Sequence, residues 1–136
     1  MKAIPVGARG KFALLVQPEH LADRFKDSAL PPVLATPVML MLMENAALNA
    51  IKPYLDRGES AVGTAADIRH LAPSPLGATV TGEAEVTGID GRRVSFTVRA
   101  HDDLELIGSG THDRVVVDLG RLAKRLDAKS KAVTQR

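Results

Sequence analysis

Residues 37–51 read PVMLMLMENAALNAI, and this stretch decides how the chain folds. It is apolar over most of its length, and its one ionisable side chain is Glu44. Thr36 followed by Pro37 is a helix start, with a hydroxyl at the N-cap and Pro at the first helical position. The spacing predicts a helix to about Leu55, stopping near Gly58, with Pro53 disturbing the last turn. Asn45, Asn49, Lys52 and Asp56 recur at helical spacing and form one wet face. Glu44 lies about 100° away from Asn45 around the axis, in a row with Leu40, Ala47, Leu48 and Ile51. A helix apolar over most of its circumference is enclosed by other structure. A carboxylate there costs stability unless it is paired, hydrogen-bonded or functional.

Outward from the helix, the flanking segments read as strands. KFALLV (11–16) is a short apolar run, and residues 17–35, with Pro18, Pro31 and Pro32, form an irregular arm. In SAVGTAADIRHLA, His70 shares the parity of Val62, Ala66 and Ile68 and points to their face. ATVTGEAEVTGI alternates Ala78, Val80, Ala84 and Val86 against Thr and Glu, and Asp90-Gly91 is a hairpin turn. RRVSFTVRAH places Val94, Phe96, Val98 and Ala100 on one face. In LELIGSGTHDRVVV the apolar phase slips from Leu104/Leu106 to Val115/Val117, predicting a bulge near Gly108–Gly110. Leu119, Leu122 and Leu126 outline a short amphipathic helix, with a frayed tail from about Lys129.

The order is strand, long helix, four strands as an antiparallel meander, then a short helix. One sheet wrapping one apolar helix is an α+β layout, the pattern of the hotdog fold. The 136 residues make one domain, 45% hydrophobic and 25% charged, of soluble globular composition. No run has the length of a membrane span, and MKAIPVGARGK lacks the apolar core of a signal peptide. The absence of cysteine excludes disulfides, thiolate metal sites and a Cys nucleophile, and suits a cytoplasmic location. Net charge is +2, too mild to argue for nucleic acid, and 3% aromatics give no base-stacking platform. Residues 118–136 carry six basic and two acidic side chains, which leaves the remainder at −2. The basic side chains Arg121, Lys124, Arg125, Lys129 and Lys131 read as a solvated face. Met39, Met41 and Met43 read as adaptable packing. No Gly-rich phosphate loop, GxSxG elbow or metal-ligand cluster is present.

The segments VLATPVMLMLMENA (33–46), KPYLDRGESAVGTA (52–65), RHLAPSPLG (69–77) and GRRVSFTVRAHDDLELIGSGTHDRVVV (91–117) together resemble the fluoroacetyl-CoA thioesterase family of hotdog proteins. The resemblance covers nearly the whole chain. It implies hydrolysis of an acyl-CoA thioester by three side chains acting together: Thr36 at the start of the helix, Glu44 two turns on, and His70 on the following strand. It also implies that the backbone of Gly63 takes part in substrate binding. It implies no metal and no cofactor, CoA arriving as part of the substrate. It further implies a homodimer with its site at the interface, so that Glu44 and His70 meet across two subunits.

In one respect the chain departs from that family's pattern. Its arm reads SALPPVLAT, with Leu30 where a lid Phe is expected. Pro37 replaces a Gly after the Thr, and Asn45 replaces an aromatic after the Glu. The acyl pocket is therefore lined differently, which leaves the acyl chain open.

Taken alone, each residue also has a structural reading. Thr36 is explained as an N-cap, Glu44 as a structural acid pairing with Arg69 or a backbone donor, and His70 as a hydrogen-bonded core histidine. His101 and His112 read as structural, and Asp67 has the opposite parity to His70. Two other functions fit the same fold: a hotdog hydratase or dehydratase, and a non-catalytic acyl-CoA-binding module.

Overall fold

The computed structural model describes residues 1–135. Strand β1 (Arg9–Leu15) leads through a single-turn helix α1 (Ala22–Phe25) to the long helix α2 (Thr36–Ile51). Strands β2 (Glu59–His70), β3 (Thr79–Asp90), β4 (Arg93–His101) and β5 (Leu106–Asp118) follow, and helix α3 (Leu119–Thr134) ends the chain. The strands form one antiparallel sheet in the order β1-β3-β4-β5-β2.

The expected α+β layout holds, but the four-strand meander does not. Only β3, β4 and β5 are consecutive neighbours; β2 pairs with β5 at the far edge, from Glu59 opposite Asp118 to His70 opposite Gly108. The reason lies in the β2–β3 connection, LAPSPLGA. Pro73 and Pro75 remove donors and fix an extended path, so no hairpin forms. The loop crosses the end of the sheet instead, where Leu34 N–H donates to the Ser74 carbonyl at 2.9 Å. The β3–β4 hairpin turns one residue later than read, at Gly91-Arg92 with Asp90 paired to Arg93, and Gly91 takes the positive φ of 62°.

Helix α2 lies in the concave face. Gly10 on β1 faces Ala46 and Ala50, and Gly82 on β3 faces Leu42, so closely that a Cβ at either glycine would collide with helix backbone. These two glycines set the depth at which the helix sits. Val38, Met39, Leu42, Met43, Ala46, Ala47, Ala50 and Ile51 are buried against Val80, Val86, Val94, Phe96, Val98 and Val116. Full burial of each large side chain contributes roughly 1.5–3 kcal/mol. The expected enclosure is incomplete. Pro37 and Met41 are exposed, and Leu40, Glu44 and Leu48 are half-buried, so one strip of the helix is left partly uncovered by the described residues.

Helix α2 ends earlier than Leu55, at Ile51, where Pro53 turns the chain into a 3-10 segment, Lys52–Tyr54. Its start also differs from the reading. Ala35 is the N-cap, Thr36 is the first helical residue, and no side chain caps the helix.

The β5 register slips at Ile107, which is inserted between Gly108 opposite Ala100 and Leu106 opposite His101. Beyond that bulge the inward phase is Gly108, Gly110, His112, Arg114 and Val116. Val115 and Val117 lie on the outer face, half-buried. Helix α3 does not fray from Lys129. It is capped by Asp118, whose carboxylate accepts from Arg121 N–H at 2.9 Å, and runs to Thr134 with no residue buried. Arg136 lies outside the described residues. No helix among the described residues is long and apolar enough to cross a membrane.

Candidate active site

Starting Thr36 inside the helix frees its hydroxyl from capping. Thr36 Oγ1 lies 2.8 Å from His70 Nδ1, joining the first turn of α2 to the end of β2. The other ring nitrogen, His70 Nε2, is buried and has no partner among the described residues. Partial burial lowers the His70 pKa below its ordinary 6.5, and the backbone of Ala72 offsets part of that. The ring is therefore neutral at physiological pH, with one nitrogen held by Thr36 and the other buried without a partner among the described residues.

Glu44 lies elsewhere. Eight residues separate it from Thr36, about 12 Å of helix rise. Its side chain is 38% exposed, and its carboxylate reaches the inner face of β2 at Gly63. A Cβ built on Gly63 would stand 2.9 Å from Glu44 Oε2, so the strand needs glycine to let the carboxylate approach. Gly63 and His70 are seven residues apart on one extended strand, roughly 23 Å of backbone. Within one chain the structure therefore makes two clusters, Thr36 with His70 and Glu44 with Gly63.

The charged partner of Glu44 is Arg114, not Arg69. Arg114 Nη1 stands 3.8 Å from Glu44 Oε2, an ion pair too long for a direct hydrogen bond. Arg69 instead pairs with Asp67 at 2.6 Å on the outer face. Arg114 is inward-facing and its side chain only 9% exposed. Its Nη2 donates to the Ala61 carbonyl at 2.7 Å, and its Nη1 lies 3.2 Å from His112 Nε2. Burial pushes the Arg114 pKa down and the Glu44 carboxylate pushes it back up; a guanidinium so placed stays charged. Alternation alone hid Arg114 and His112, because polar residues on a strand read as solvent-facing. A usable signal was present: a lone acid on an apolar helix requires a cation, and Arg114 shares the parity of Gly108, a small residue that sits against Met39 of the helix.

Leu30 lies on the exposed arm before α2, and Pro37 is in the exposed first turn of the helix, two positions from buried Met39. His101 is structural as read, its Nε2 3.0 Å from Glu83 on the outer face.

A five-stranded antiparallel sheet curled around one long helix, with polar residues gathered at the helix start and under its middle, defines a hotdog domain of the thioesterase superfamily. Residues 16–119 match the family described as fluoroacetyl-CoA-specific thioesterase. The chain is 41% identical over 132 residues to the fluoroacetyl-CoA thioesterase of Streptantibioticus cattleyicolor, spanning 93% of this chain and 95% of that one. It belongs to the fluoroacetyl-CoA-specific thioesterase family. Among solved structures it is similar to the fluoroacetyl-CoA thioesterase FlK, at 38% identity and a TM-score of 0.88 over 94% of this chain and 98% of that one. A thioesterase superfamily member from Thermus thermophilus is 34% identical, with a TM-score of 0.87 over 97% and 99% of the two chains.

Proposed function

We propose that this protein hydrolyses a short-chain acyl-CoA thioester to the free acid and CoA. The observation that carries this is the 41% identity to a fluoroacetyl-CoA thioesterase over nearly the whole chain. Glu44 is the base that activates a water, or the nucleophile that attacks the thioester carbonyl and is then freed by water. In either route an oxygen–carbon bond forms at the carbonyl, the carbon–sulfur bond breaks, and the CoA thiolate takes up a proton. His70 moves that proton through its free Nε2, and Thr36 positions both the imidazole and the thioester. The CoA thiolate is a good leaving group, so the reaction requires no metal and no cofactor beyond the CoA of the substrate.

The separation of the two clusters supports a homodimer. Among the described residues β2 is an edge strand with no neighbour on its outer side, and the partly uncovered strip of α2 runs through Pro37, Leu40, Met41, Glu44 and Leu48. An exposed edge of this length is a template for pairing with a second chain. Antiparallel pairing of two β2 strands about a two-fold axis between Ala66 and Asp67 sets Gly63 opposite His70 of the partner subunit. Glu44 then meets the partner's His70, and two equivalent sites result. Leu30, Pro37 and Gly63 line the acyl end, and Leu30 in place of an aromatic lid makes that end less restrictive than one closed by Phe. A cytoplasmic location fits a chain without cysteine.

The test is thiol release from a panel of acyl-CoA thioesters, from acetyl and fluoroacetyl to longer and aromatic chains, with wild type and Glu44→Ala. Turnover that collapses in the variant supports the hydrolase. Binding of acyl-CoA without release from any thioester overturns it in favour of a binding module or a hydratase.

A further inference from the structure

The hydrogen bonds of His112 fix its chemical state. Its Nδ1 lies 2.8 Å from the Ala65 carbonyl, which can only accept, so Nδ1 carries the proton. Its Nε2 faces Arg114 Nη1 at 3.2 Å, and a guanidinium can only donate, so Nε2 presents its lone pair. The ring is thus a neutral imidazole used at both ends. It is 2% exposed and stacks on Phe96, with centroids 6.0 Å apart and planes at 25°, so it has little freedom to turn.

This arrangement brackets the candidate site. The β2 ladder shifts register between Gly63 and Ala65, leaving Thr64 as the extra residue. His112 holds the carbonyl after this bulge, at Ala65, and Arg114 holds the one before it, at Ala61. Thr64 Oγ1 donates to the Asp113 carbonyl at 3.3 Å, between the two. Gly63 lies between these contacts, where Glu44 Oε2 reaches it, and Arg114 Nη1 is aimed at the same carboxylate oxygen.

We propose that His112 is a positioning residue for the hydrolysis. It orients the Arg114 guanidinium, and Arg114 in turn fixes the Glu44 carboxylate against Gly63. His112 touches neither substrate nor reacting atoms and acts only through Arg114. The assignment rests on the hydrolase reading above. A hydrogen-bond acceptor at the Nε2 position is what the reaction needs, and the bond to Ala65 only holds the ring in place.

Two amide substitutions separate these functions. Asn at 112 retains a donor near Nδ1 for Ala65 but has no atom that reaches Arg114. Gln at 112 retains an acceptor near Nε2. His112→Asn is expected to lower kcat about 10- to 100-fold with KM within about twofold, the scale of a misplaced catalytic group. His112→Gln is expected to stay within about threefold of wild type. In an Arg114→Lys background, His112→Asn is expected to add little further loss, because both changes break one path. Long-range proton–nitrogen NMR of the substrate-free protein should show His112 with its proton on Nδ1. Equal kcat values for the Asn and Gln variants, additive losses with Arg114→Lys, or a proton on Nε2 overturns the positioning role. Wild type that hydrolyses no thioester overturns the hydrolase reading and this role with it, a result distinct from active enzyme indifferent to residue 112.

Discussion

Thr36 Oγ1 and His70 Nδ1 are hydrogen-bonded at 2.8 Å, and this contact decides which nitrogen of His70 is left for chemistry. Partial burial lowers the folded-state pKa of His70 below 6.5. The unfolded chain therefore binds more protons at this site than the folded one, in the interval between the folded value and 6.5. His70 contributes stability above pH 6.5 and loses it as pH falls through the folded value. Wild type should lose thermal stability relative to His70→Gln on going from pH 7.5 to pH 5, with a constant difference above about pH 7. Thermal melts of both proteins across that range check this. A difference that grows upward of pH 7 has the wrong sign. The same shift places the acid limb of kcat/KM below pH 6.5, since the proton-accepting form of His70 persists to lower pH than in a free imidazole.

Gly63→Ala separates function from folding. The added Cβ would stand 2.9 Å from Glu44 Oε2 and 3.3 Å from His112 Cε1. Gly63 does not have a positive φ, so the backbone accepts alanine. The nearest atom is the end of a flexible, 38% exposed side chain that can swing aside. The expected stability change is within about 1 kcal/mol. Displacing the carboxylate, however, should lower kcat about 10- to 100-fold. Denaturant titration with steady-state kinetics on the same preparation distinguishes this from a loss of both.

Glu44→Gln and Arg114→Met test the ion pair from its two sides. Glutamine leaves Arg114 with the Ala61 carbonyl and His112 but no counter-charge. Activity should fall about 100- to 10,000-fold, the range for losing a general base or a better-than-water nucleophile. Arg114→Met removes a charge that is almost fully buried and replaces it with a side chain of similar reach. Removing one partner of a buried ion pair is destabilising where the other charge stays buried, and here that cost is limited because the Glu44 side chain is 38% exposed to water. The Met variant should melt within a few degrees of wild type while kcat falls at least about 10-fold. A variant that retains full kcat would show that Glu44 needs no guanidinium.

The parts of this fold carried by local chemistry were legible in the sequence. The Thr36-Pro37 start marks the beginning of α2, whereas its end falls at Ile51, short of the expected Leu55, and the Asp90-Gly91 pair marks the region of the β3–β4 hairpin. What local patterns do not carry is which strand neighbours which. The two prolines between β2 and β3 were visible, yet adjacency in sequence favoured a meander. Thr36 and His70 were linked only by resemblance, because their contact spans 34 residues and depends on the crossing of α2 over the end of β2. Arg114 escaped for a different reason. Its inward position breaks the polar-out rule, and it is tolerable only because Ala61, His112 and Glu44 meet its charge together.

The division of Glu44 and His70 between two clusters yields a test that needs no structure of the dimer. Suppose each site takes Glu44 from one subunit and His70 from the other. Glu44→Gln and His70→Gln homodimers are then each inactive at both sites. In a mixed dimer, one site receives both altered residues and the other receives both native ones. Random co-assembly makes half of the dimers mixed, each with one intact site in two, so about a quarter of wild-type activity should return. If both residues of a site come from one chain, every site in every dimer carries one alteration and nothing returns. Co-expression of the two variants with different affinity tags, followed by sequential purification, isolates the mixed species. That species should reach about half of wild-type kcat per dimer with unchanged KM. Mixed dimers as inactive as the parents would place Glu44 and His70 of one chain in the same site and overturn the shared-site geometry.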